Sequence, residues 1–270
     1  MNNINWDKYK FHPSGLSNLM TNAKKKDEVL SQTAKSYLDT LWIKEVWGRK
    51  KSEMVGNKFT QKGIMAETDS LELVEKVTGK KYFKNQTQFE NDWIIGTPDV
   101  TKPDLIDIKT SWNLFTFMAV TEEQAKKDYY AQVLGYMWLL GRISSAIFYC
   151  LVNTPEILKS DEMYRLTFKL PKEEAKKYEN NYIFDDIPES QRIKAYRFNY
   201  DEAIINQIKE KIVYAREYLA GIDLSNTSKI TKIEEVQKID AQSFLVNEVN
   251  TLFKDTSLPL LQAKELVKKK

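Results

Sequence analysis

The sequence predicts a mixed α/β domain in which a central mixed β-sheet is flanked by helices. Two observations lead to this prediction. Apolar residues recur at helical spacing in the longer segments, and short apolar runs typical of strands lie between them. In chain order the elements read α–α–β–β–β–α–β and then β–β–α, which favours helices packed on a sheet. With 270 residues, the chain can bury one sizeable core, or one core with an appendage.

The N-terminal half contributes two helices and then strands. A helix is predicted over residues 27–48, where Ala34, Leu38 and Leu41 follow a helical period. A second helix is predicted over 61–79, with Gly79 as its C-cap. The strand predictions that follow are "KYFKNQTQFE" (81–90), "DWIIGTPDV" (92–100) and "LIDIKTSW" (105–112).

The C-terminal half begins with a long helix over 121–141, in which Thr121 and Gln124 are spaced as a capping box. A closing amphipathic helix is predicted over 201–221. The strands predicted between these helices are "SSAIFYCLVNT" (144–154), "MYRLTFKL" (163–170) and "RIKAYRFNY" (192–200). After this helix the pattern weakens, so we predict one domain over 1–222 and a tail over 223–270 that is partly helical or poorly ordered.

The composition excludes several classes of site. The chain has one cysteine and one histidine, too few for a disulfide scaffold, a zinc finger or a four-cysteine iron–sulfur cluster. Cys150 stands in an apolar run and is expected to be a buried, inert thiol. Any catalytic metal is therefore expected to be held mainly by carboxylates, which favours Mg²⁺ or Mn²⁺.

The formal net charge of +3 is too small for a nucleic-acid coat protein but permits local basic surfaces. No apolar run has the length of a membrane span, and the N-terminus has no signal-peptide core. We therefore expect a cytoplasmic protein that makes no membrane contact.

The strand "LIDIKT" carries the first candidate site residues. Because side chains alternate along a strand, Asp107 and Lys109 share one face while Ile106 and Ile108 share the other. Asp99 ends the preceding strand, and a hairpin would bring it beside Asp107. A buried charge is unfavourable unless it is paired or binds a metal. This group is either a structural ion pair or an active site.

Other polar residues are predicted to face the same place. Glu67 lies in line with the apolar residues Ile64 and Leu71 of the second helix. A glutamate on an apolar face is unusual and favours a functional role. Gln132 and Tyr136 are four residues apart and share a face of the long helix. In the structural alternative, Asp107 and Lys109 form a buried ion pair, and the glutamine and tyrosine make core hydrogen bonds. The ordered set favours catalysis, because it is far more specific than Asp-x-Lys alone.

These motifs resemble the PD-(D/E)XK nuclease superfamily. They are G-x-x-x-E ending at Glu67, "TPD" (97–99), "DIK" (107–109) and "QVLGY" (132–136). The final motif is similar to that of phage lambda exonuclease, YqaJ-type viral recombinases and RecB-type nuclease domains. The resemblance covers about residues 8–222, and implies a restriction-endonuclease-like core in a nuclease domain over 1–222. Asp107 stands where many relatives carry glutamate, which leaves the carboxylate chemistry unchanged.

The resemblance implies roles for the motif residues. A Mg²⁺ ion, or Mn²⁺ in its place, would be held by Asp99, Asp107, the carbonyl of Ile108, and Glu67 directly or through water. Lys109 would steer or deprotonate the attacking water, while Gln132 and Tyr136 would position Lys109 or a phosphate. The DNA-contact candidates are Lys8, Lys10, Ser14 and Trp112. The two lysines would replace an N-terminal arginine of relatives, and Trp112 with Phe115 would stack on an end base or, equally, pack in the core.

The implied function is a phage-type exonuclease that resects double-stranded DNA ends, 5′ to 3′, for recombination. Its expected partners are DNA ends, a single-strand annealing protein and other copies of the chain in a closed oligomer such as a trimer. Two alternatives stay open at this point. One is an endonuclease or single-strand nuclease of the same fold, and the other is a DNA-binding module with a weakened site.

Overall fold

The computed structural model describes residues 4–50 and 57–223. The tail predicted over 223–270 lies outside these residues, apart from Asp223. The described helices are α1 (Pro13–Leu19), α2 (Gln32–Trp47), α3 (Lys58–Met65), α4 (Glu67–Thr78), α5 (Leu114–Ala119), α6 (Glu122–Leu140), α7 (Glu156–Thr167), α8 (Lys172–Lys176) and α9 (Glu202–Ala220). Short 3-10 turns cover Trp6–Lys8, Glu179–Tyr182 and Glu189–Gln191. The strands are β1 (Phe89–Glu90), β2 (Ile95–Gly96), β3 (Ile106–Thr110), β4 (Ser144–Cys150) and β5 (Ile193–Asn199).

The strands form a mixed sheet in the order β3-β4-β5 and a separate β1-β2 hairpin. Strands β3 and β4 are parallel, with Lys109 opposite Tyr149, and β4 and β5 are antiparallel. Strand β3 is extended at its outer edge by a single antiparallel bridge between Val100 and Ile106. The predicted mixed α/β fold is therefore confirmed.

Helices cover both faces of this sheet. On one face Ile106, Phe148 and Cys150 pack with Leu73 and Val74 of α4. Helix α6 covers the other face, toward which Asp107 and Lys109 point. The carboxylate and the lysine thus lie between the sheet and α6, and the apolar half of the same strand supports the core.

Helix α1 packs closely against α6. A Cβ atom added at Gly135 would lie 3.1 Å from the Leu16 side chain and 3.2 Å from Pro13. A Cβ at Gly96 would lie 2.8 Å from Pro13 and 3.0 Å from the Tyr136 ring. Glycine at both positions allows this approach, which fixes the level of α6 and its polar residues against the sheet.

Helices α6 and α9 begin and end within one residue of the predicted bounds, whereas α2 begins at Gln32, five residues after the predicted start at residue 27, and ends at Trp47. Helix α6 is capped by the hydroxyl of Thr121, which accepts the N–H of Gln124 at 3.2 Å. The Gln124 side chain donates to Asp128 instead of completing the capping box. Gly79 ends α4 in the left-handed conformation, with φ of 68°, as predicted. Helix α9 and strand β5 also confirm the predictions for 201–221 and 192–200.

The helix predicted over 61–79 is two helices, α3 and α4, which meet at Ala66. Its buried face is also different from the predicted one, because Ile64 is 70% exposed. The buried residues are Lys62, Ala66, Ser70, Leu73 and Val74. The small side chains of Ala66 and Ser70 allow the helix to approach the sheet, where the Ser70 and Thr110 hydroxyls are 2.8 Å apart.

The strand prediction for 163–170 was wrong, because α7 covers Glu156–Thr167 and a turn follows it. Met163, Leu166 and Leu170 are half-buried, a spacing of three and four residues that belongs to a helix. The segments predicted as strands over 81–90 and 92–100 are paired only at β1, β2 and isolated bridges. Among residues 4–50 and 57–223, no helix is both long enough and apolar enough to cross a membrane.

Candidate active site

Strand β3 presents the predicted acid–lysine pair toward α6. The Lys109 ammonium lies 2.8 Å from Asp107 Oδ2, and the Asp107 side chain is only 4% exposed. The Gln132 amide, on α6, donates to Asp107 Oδ1 at 2.9 Å. Gln132 therefore holds the carboxylate, whereas the sequence predicted that it would position the lysine or a phosphate.

Asp99 reaches the same strand from its outer edge. Its Oδ2 accepts the backbone N–H of Ile108 at 3.1 Å. Because the N–H and C=O of a strand residue point to the same side, the Ile108 carbonyl is directed toward Asp99 as well. Asp99 is thus placed beside strand β3 as predicted, although the two segments are joined by a single antiparallel bridge and not by a full hairpin ladder.

An open cleft exposes this group. Its lining includes Glu67, Asp99, Ile108, Lys109 and Tyr129. Asp107 lies under the cleft and Lys109 at its floor, where the lysine side chain is 24% exposed. The arrangement gives a ligand access to the ammonium and to Asp99 while Asp107 stays protected from water.

Glu67 lines the cleft but does not join the two aspartates. Its Oε2 lies 2.5 Å from the Lys84 ammonium. Within the described residues, no three carboxylate, histidine or cysteine side chains gather closely enough to hold a metal ion by themselves. The structure therefore assembles the predicted Asp99 and Asp107, and places the third predicted carboxylate at the cleft wall.

Electrostatic interactions show that the two aspartates are close. Burial, followed by the negative charge of Asp107, raises the pKa of Asp99 to about 6. Burial is the largest single influence on Lys109 and by itself would lower its pKa, but the charge and hydrogen bond of Asp107, together with the charges of Tyr129 and Asp99, raise the pKa instead. The site thus favours an ammonium at Lys109 and contains a carboxylate pair whose repulsion a cation would relieve.

The donor atoms fit a hard divalent cation. Oxygen atoms of Asp99 and Asp107 and the carbonyl of Ile108 are the ligands that Mg²⁺ and Mn²⁺ prefer. The Lys109 ammonium is the ion-pair partner of Asp107 Oδ2. Among the described residues, this buried oxygen has no other donor within hydrogen-bond distance. A carboxylate oxygen with this free capacity, next to a second carboxylate, is consistent with a metal site.

Tyr136, the last residue of the final motif, is buried. Tyr136 is 9% exposed, and burial, with the charges of Asp107 and Asp99, raises its pKa to about 12. Tyr136 therefore lies near both aspartates as an un-ionised phenol.

Tyr129 was not predicted as a site residue, but its ring lies 4.5 Å from the Lys109 ammonium. Its position three residues before Gln132 on α6 was the available signal.

The predicted DNA-contact residues lie in different places. Lys10 forms an ion pair with Glu90 at 2.9 Å. Lys8 and Ser14 are exposed on the N-terminal segment. Trp112 is 5% exposed and packs with Leu158 and Tyr182, and it also lines the cleft that contains Asp99 and Lys109. These residues do not form one surface around the lysine and the aspartates.

A buried lysine stands behind Trp112. Lys62 of α3 is 0% exposed, and its ammonium donates to the Trp112 carbonyl at 2.8 Å. The same nitrogen lies 5.2 Å from the centre of the Phe184 ring. Burial lowers the pKa of Lys62 to about 7. This lysine ties α3 to the segment that follows β3 and was not predicted as a site residue.

The fold is shared with nucleases of known structure. A phage-related exonuclease from Haemophilus somnus is 29% identical, with a TM-score of 0.67, over 78% of this chain and 94% of that one. An alkaline exonuclease from Laribacter hongkongensis is 17% identical, with a TM-score of 0.53, over 88% of this chain and 97% of that one. The latter is also known in complex with dAMP, at the same identity and TM-score, over 86% of this chain and 94% of that one.

No protein-family model matches the sequence, and no curated protein is significantly similar to it. Function is therefore inferred from the structural similarity together with the geometry of the site. Together they support a nuclease, because the chain shares the fold of a phage-related exonuclease and an alkaline exonuclease.

Proposed function

We propose that the protein is a Mg²⁺-dependent deoxyribonuclease that resects double-stranded DNA from its 5′ ends during phage-type recombination. The observation that carries the proposal is the arrangement of Asp99 and Lys109 in one open cleft, with Asp107 directly beneath and paired with Lys109. The similarity to the phage-related exonuclease supports nuclease chemistry for this cleft. Degradation from ends, the 5′ polarity and the recombination role rest on the resemblance.

Two carboxylates and a main-chain carbonyl would bind the metal. Asp99, Asp107 and Ile108 are the proposed ligands, with Glu67 contributing through water after release from Lys84. When bound, Mg²⁺ supplies Lewis acidity to the scissile phosphate and the attacking water. Gln132 keeps Asp107 oriented by donating to one of its oxygens, and the Ile108 N–H does the same for Asp99.

Lys109 is proposed to stabilise charge during phosphodiester hydrolysis. Water forms a bond to phosphorus and releases a proton to solvent, while the bond from phosphorus to the sugar oxygen breaks and that oxygen takes up a proton from solvent. Negative charge increases on the phosphoryl oxygens during this step. In the structure the Lys109 ammonium lies beside Asp107 at the cleft, and from there it would donate hydrogen bonds to those oxygens or to the water. Steering or deprotonation of the attacking water is the other role that we propose for Lys109.

A requirement for ends needs more than this chemistry, because every phosphate in DNA reacts in the same way. Enclosure of the duplex would impose it, and a closed ring of subunits is the arrangement we propose, with a trimer as one form. The single strand produced would pass to an annealing protein. Basic side chains would contact DNA through its phosphates with little dependence on sequence.

The first test is the substitution of Asp107 by asparagine. Asp107→Asn should abolish cleavage of linear duplex in Mg²⁺ while the protein still folds and binds DNA. The substitution removes the charge that binds the metal and pairs with Lys109, but it keeps the size of the side chain and an oxygen that can accept from Gln132. The matched control is Asp104→Asn, which removes a carboxylate paired with Lys80 outside the cleft and should leave activity unchanged. Cleavage by Asp107→Asn at the wild-type rate would contradict the proposed site.

The second test addresses the substrate. Linear and covalently closed circular duplexes are mixed in one tube with Mg²⁺, and their loss is followed on a gel. We expect rapid loss of the linear DNA and survival of the circle, together with an oligomeric mass by light scattering. Equal loss of both substrates would instead favour an endonuclease, and binding without cleavage of either would favour a DNA-binding module.

A further inference from the structure

The ammonium of Lys109 contacts two different partners. It is 2.8 Å from Asp107 Oδ2, and its nitrogen is 4.5 Å from the centre of the Tyr129 ring. That distance is well within the range of a cation–π contact, in which the negative face of the ring attracts the cation. Tyr129 itself is half-buried and lines the cleft. The ring therefore forms part of the wall against which the lysine rests.

The Tyr129 ring is supported by further tyrosines. Its centre is 6.3 Å from that of Tyr149, which is 6.0 Å from Tyr196. Tyr149 stands directly opposite Lys109 in the β3–β4 register. The Tyr196 hydroxyl donates to the Val120 carbonyl at 3.1 Å. This tyrosine row, formed by Tyr129, Tyr149 and Tyr196, joins the sheet face to α6 and restrains the first ring.

A lysine has a flexible side chain, and Asp107 alone would draw its ammonium toward the buried carboxylate and away from the cleft. The Tyr129 ring, which lines the cleft, attracts the cation as a second partner without accepting a conventional hydrogen bond from it. Since Asp107 uses only part of the donor capacity of the ammonium, N–H groups stay available for a phosphoryl oxygen or a water. The ring thus fixes the position of the charge and leaves the charge itself available.

We infer that Tyr129 is a positioning residue, whose aromatic face holds the Lys109 ammonium at the floor of the cleft in the geometry that the reaction uses. The inference rests on the proposed nuclease function, and it assigns the role to the ring and not to the hydroxyl. It predicts that an aromatic replacement preserves function and that an aliphatic replacement of similar size does not.

The test compares Tyr129→Phe with Tyr129→Leu, using steady-state cleavage of linear duplex in Mg²⁺. We expect the leucine variant to lose about tenfold in kcat with little change in KM for DNA. The phenylalanine variant should retain kcat within about twofold, because the ring face is kept. The matched control is Tyr130→Leu, which removes the adjacent ring from α6, together with its 5.2 Å contact to Lys126, and should retain wild-type kcat.

A readout that does not depend on activity accompanies the kinetics. In protein with ¹³C-labelled lysine, the ε-methylene resonance of Lys109 should be shifted upfield by the ring, and Lys109→Arg identifies that resonance by its loss. The shift should persist in Tyr129→Phe and disappear in Tyr129→Leu. If the leucine variant is unfolded by circular dichroism, Tyr129→Met replaces it, since methionine has similar bulk and no ring face.

Each outcome separates the inference from the proposed function. If the wild-type protein cleaves no DNA, the proposed function is refuted, and so is the role of Tyr129 in positioning Lys109 for the reaction. An active wild type whose Tyr129→Leu variant keeps kcat or the upfield shift overturns the inference alone. Equal loss in the phenylalanine and leucine variants also overturns it, because the hydroxyl would then be the required group.

Discussion

Replacement of the buried lysine Lys62 by methionine tests how a buried amine affects stability when no carboxylate of the described residues pairs with it. The ammonium of Lys62 is 0% exposed and donates to the Trp112 carbonyl. Burial lowers its pKa from an ordinary value of 10.5 to about 7. Between these two values the unfolded chain binds more protons than the folded protein. The free energy of unfolding should therefore increase as the pH rises from 7 to 10.5.

The magnitude follows from the difference in pKa. Each pH unit inside this window changes the free energy of unfolding by up to ~1.36 kcal/mol, and below pH 7 the dependence disappears because both states are protonated. Between pH 6 and pH 9 the contribution of Lys62 to stability should increase by about 2.5 kcal/mol. Lys62→Met lacks this increase. It also leaves the Trp112 carbonyl without its donor, but that cost of ~1–3 kcal/mol does not depend on pH.

The assay is urea unfolding of the wild type and Lys62→Met at pH 6, 7, 8 and 9. The stability of the variant relative to the wild type should decrease by about 2.5 kcal/mol across this range. Lys127→Met, which removes an exposed lysine from α6, controls for the loss of a positive charge. A difference between wild type and Lys62→Met that stays constant with pH within about 0.5 kcal/mol would refute the reasoning.

Three further predictions concern the site and the core. Gln132→Leu should lower kcat on linear duplex by about tenfold, because Asp107 Oδ1 loses its donor; an unchanged kcat would count against an orienting role. Burial raises the pKa of the Cys150 thiol to about 12, so a thiol-specific disulfide reagent at pH 8 should react with the unfolded protein and not with the native one, and rapid native labelling would contradict this. Mg²⁺ or Mn²⁺ should support cleavage, Ca²⁺ should bind without turnover, and full activity in EDTA would exclude the metal mechanism.

The parts of the site that depend on one element could be predicted from the sequence. The period of two along β3 places Asp107 and Lys109 on one face. Helical spacing places Gln132 on the inner face of α6, where it is 6% exposed. These regularities belong to the backbone geometry of a single strand or helix, so they do not require knowledge of the partner element.

The parts that depend on packing between elements could not be predicted. The partner of Glu67 is Lys84, which stands in a segment with only an isolated bridge. Ala66 and Ser70 are on the buried face of α3 and α4. Lys62 is therefore buried and Ile64 is exposed, although their polarity alone would suggest the opposite. In such cases the closeness of the helix to the sheet decides which side chains are covered, and the local apolar pattern carries little information about it.

The position of the site follows from the edge of the sheet. Strand β3 pairs with β4 on one side, and its other side would present unpaired backbone groups, which are unfavourable when buried. The Val100 carbonyl accepts the N–H of Ile106, and the Asp99 side chain accepts the next outward N–H, that of Ile108. Backbone pairing thus changes to side-chain pairing at Asp99, and a carboxylate is placed beside the outward carbonyl of Ile108. The same strand turns Asp107 and Lys109 toward α6, so the acidic group, the carbonyl and the ammonium meet where the edge pairing stops.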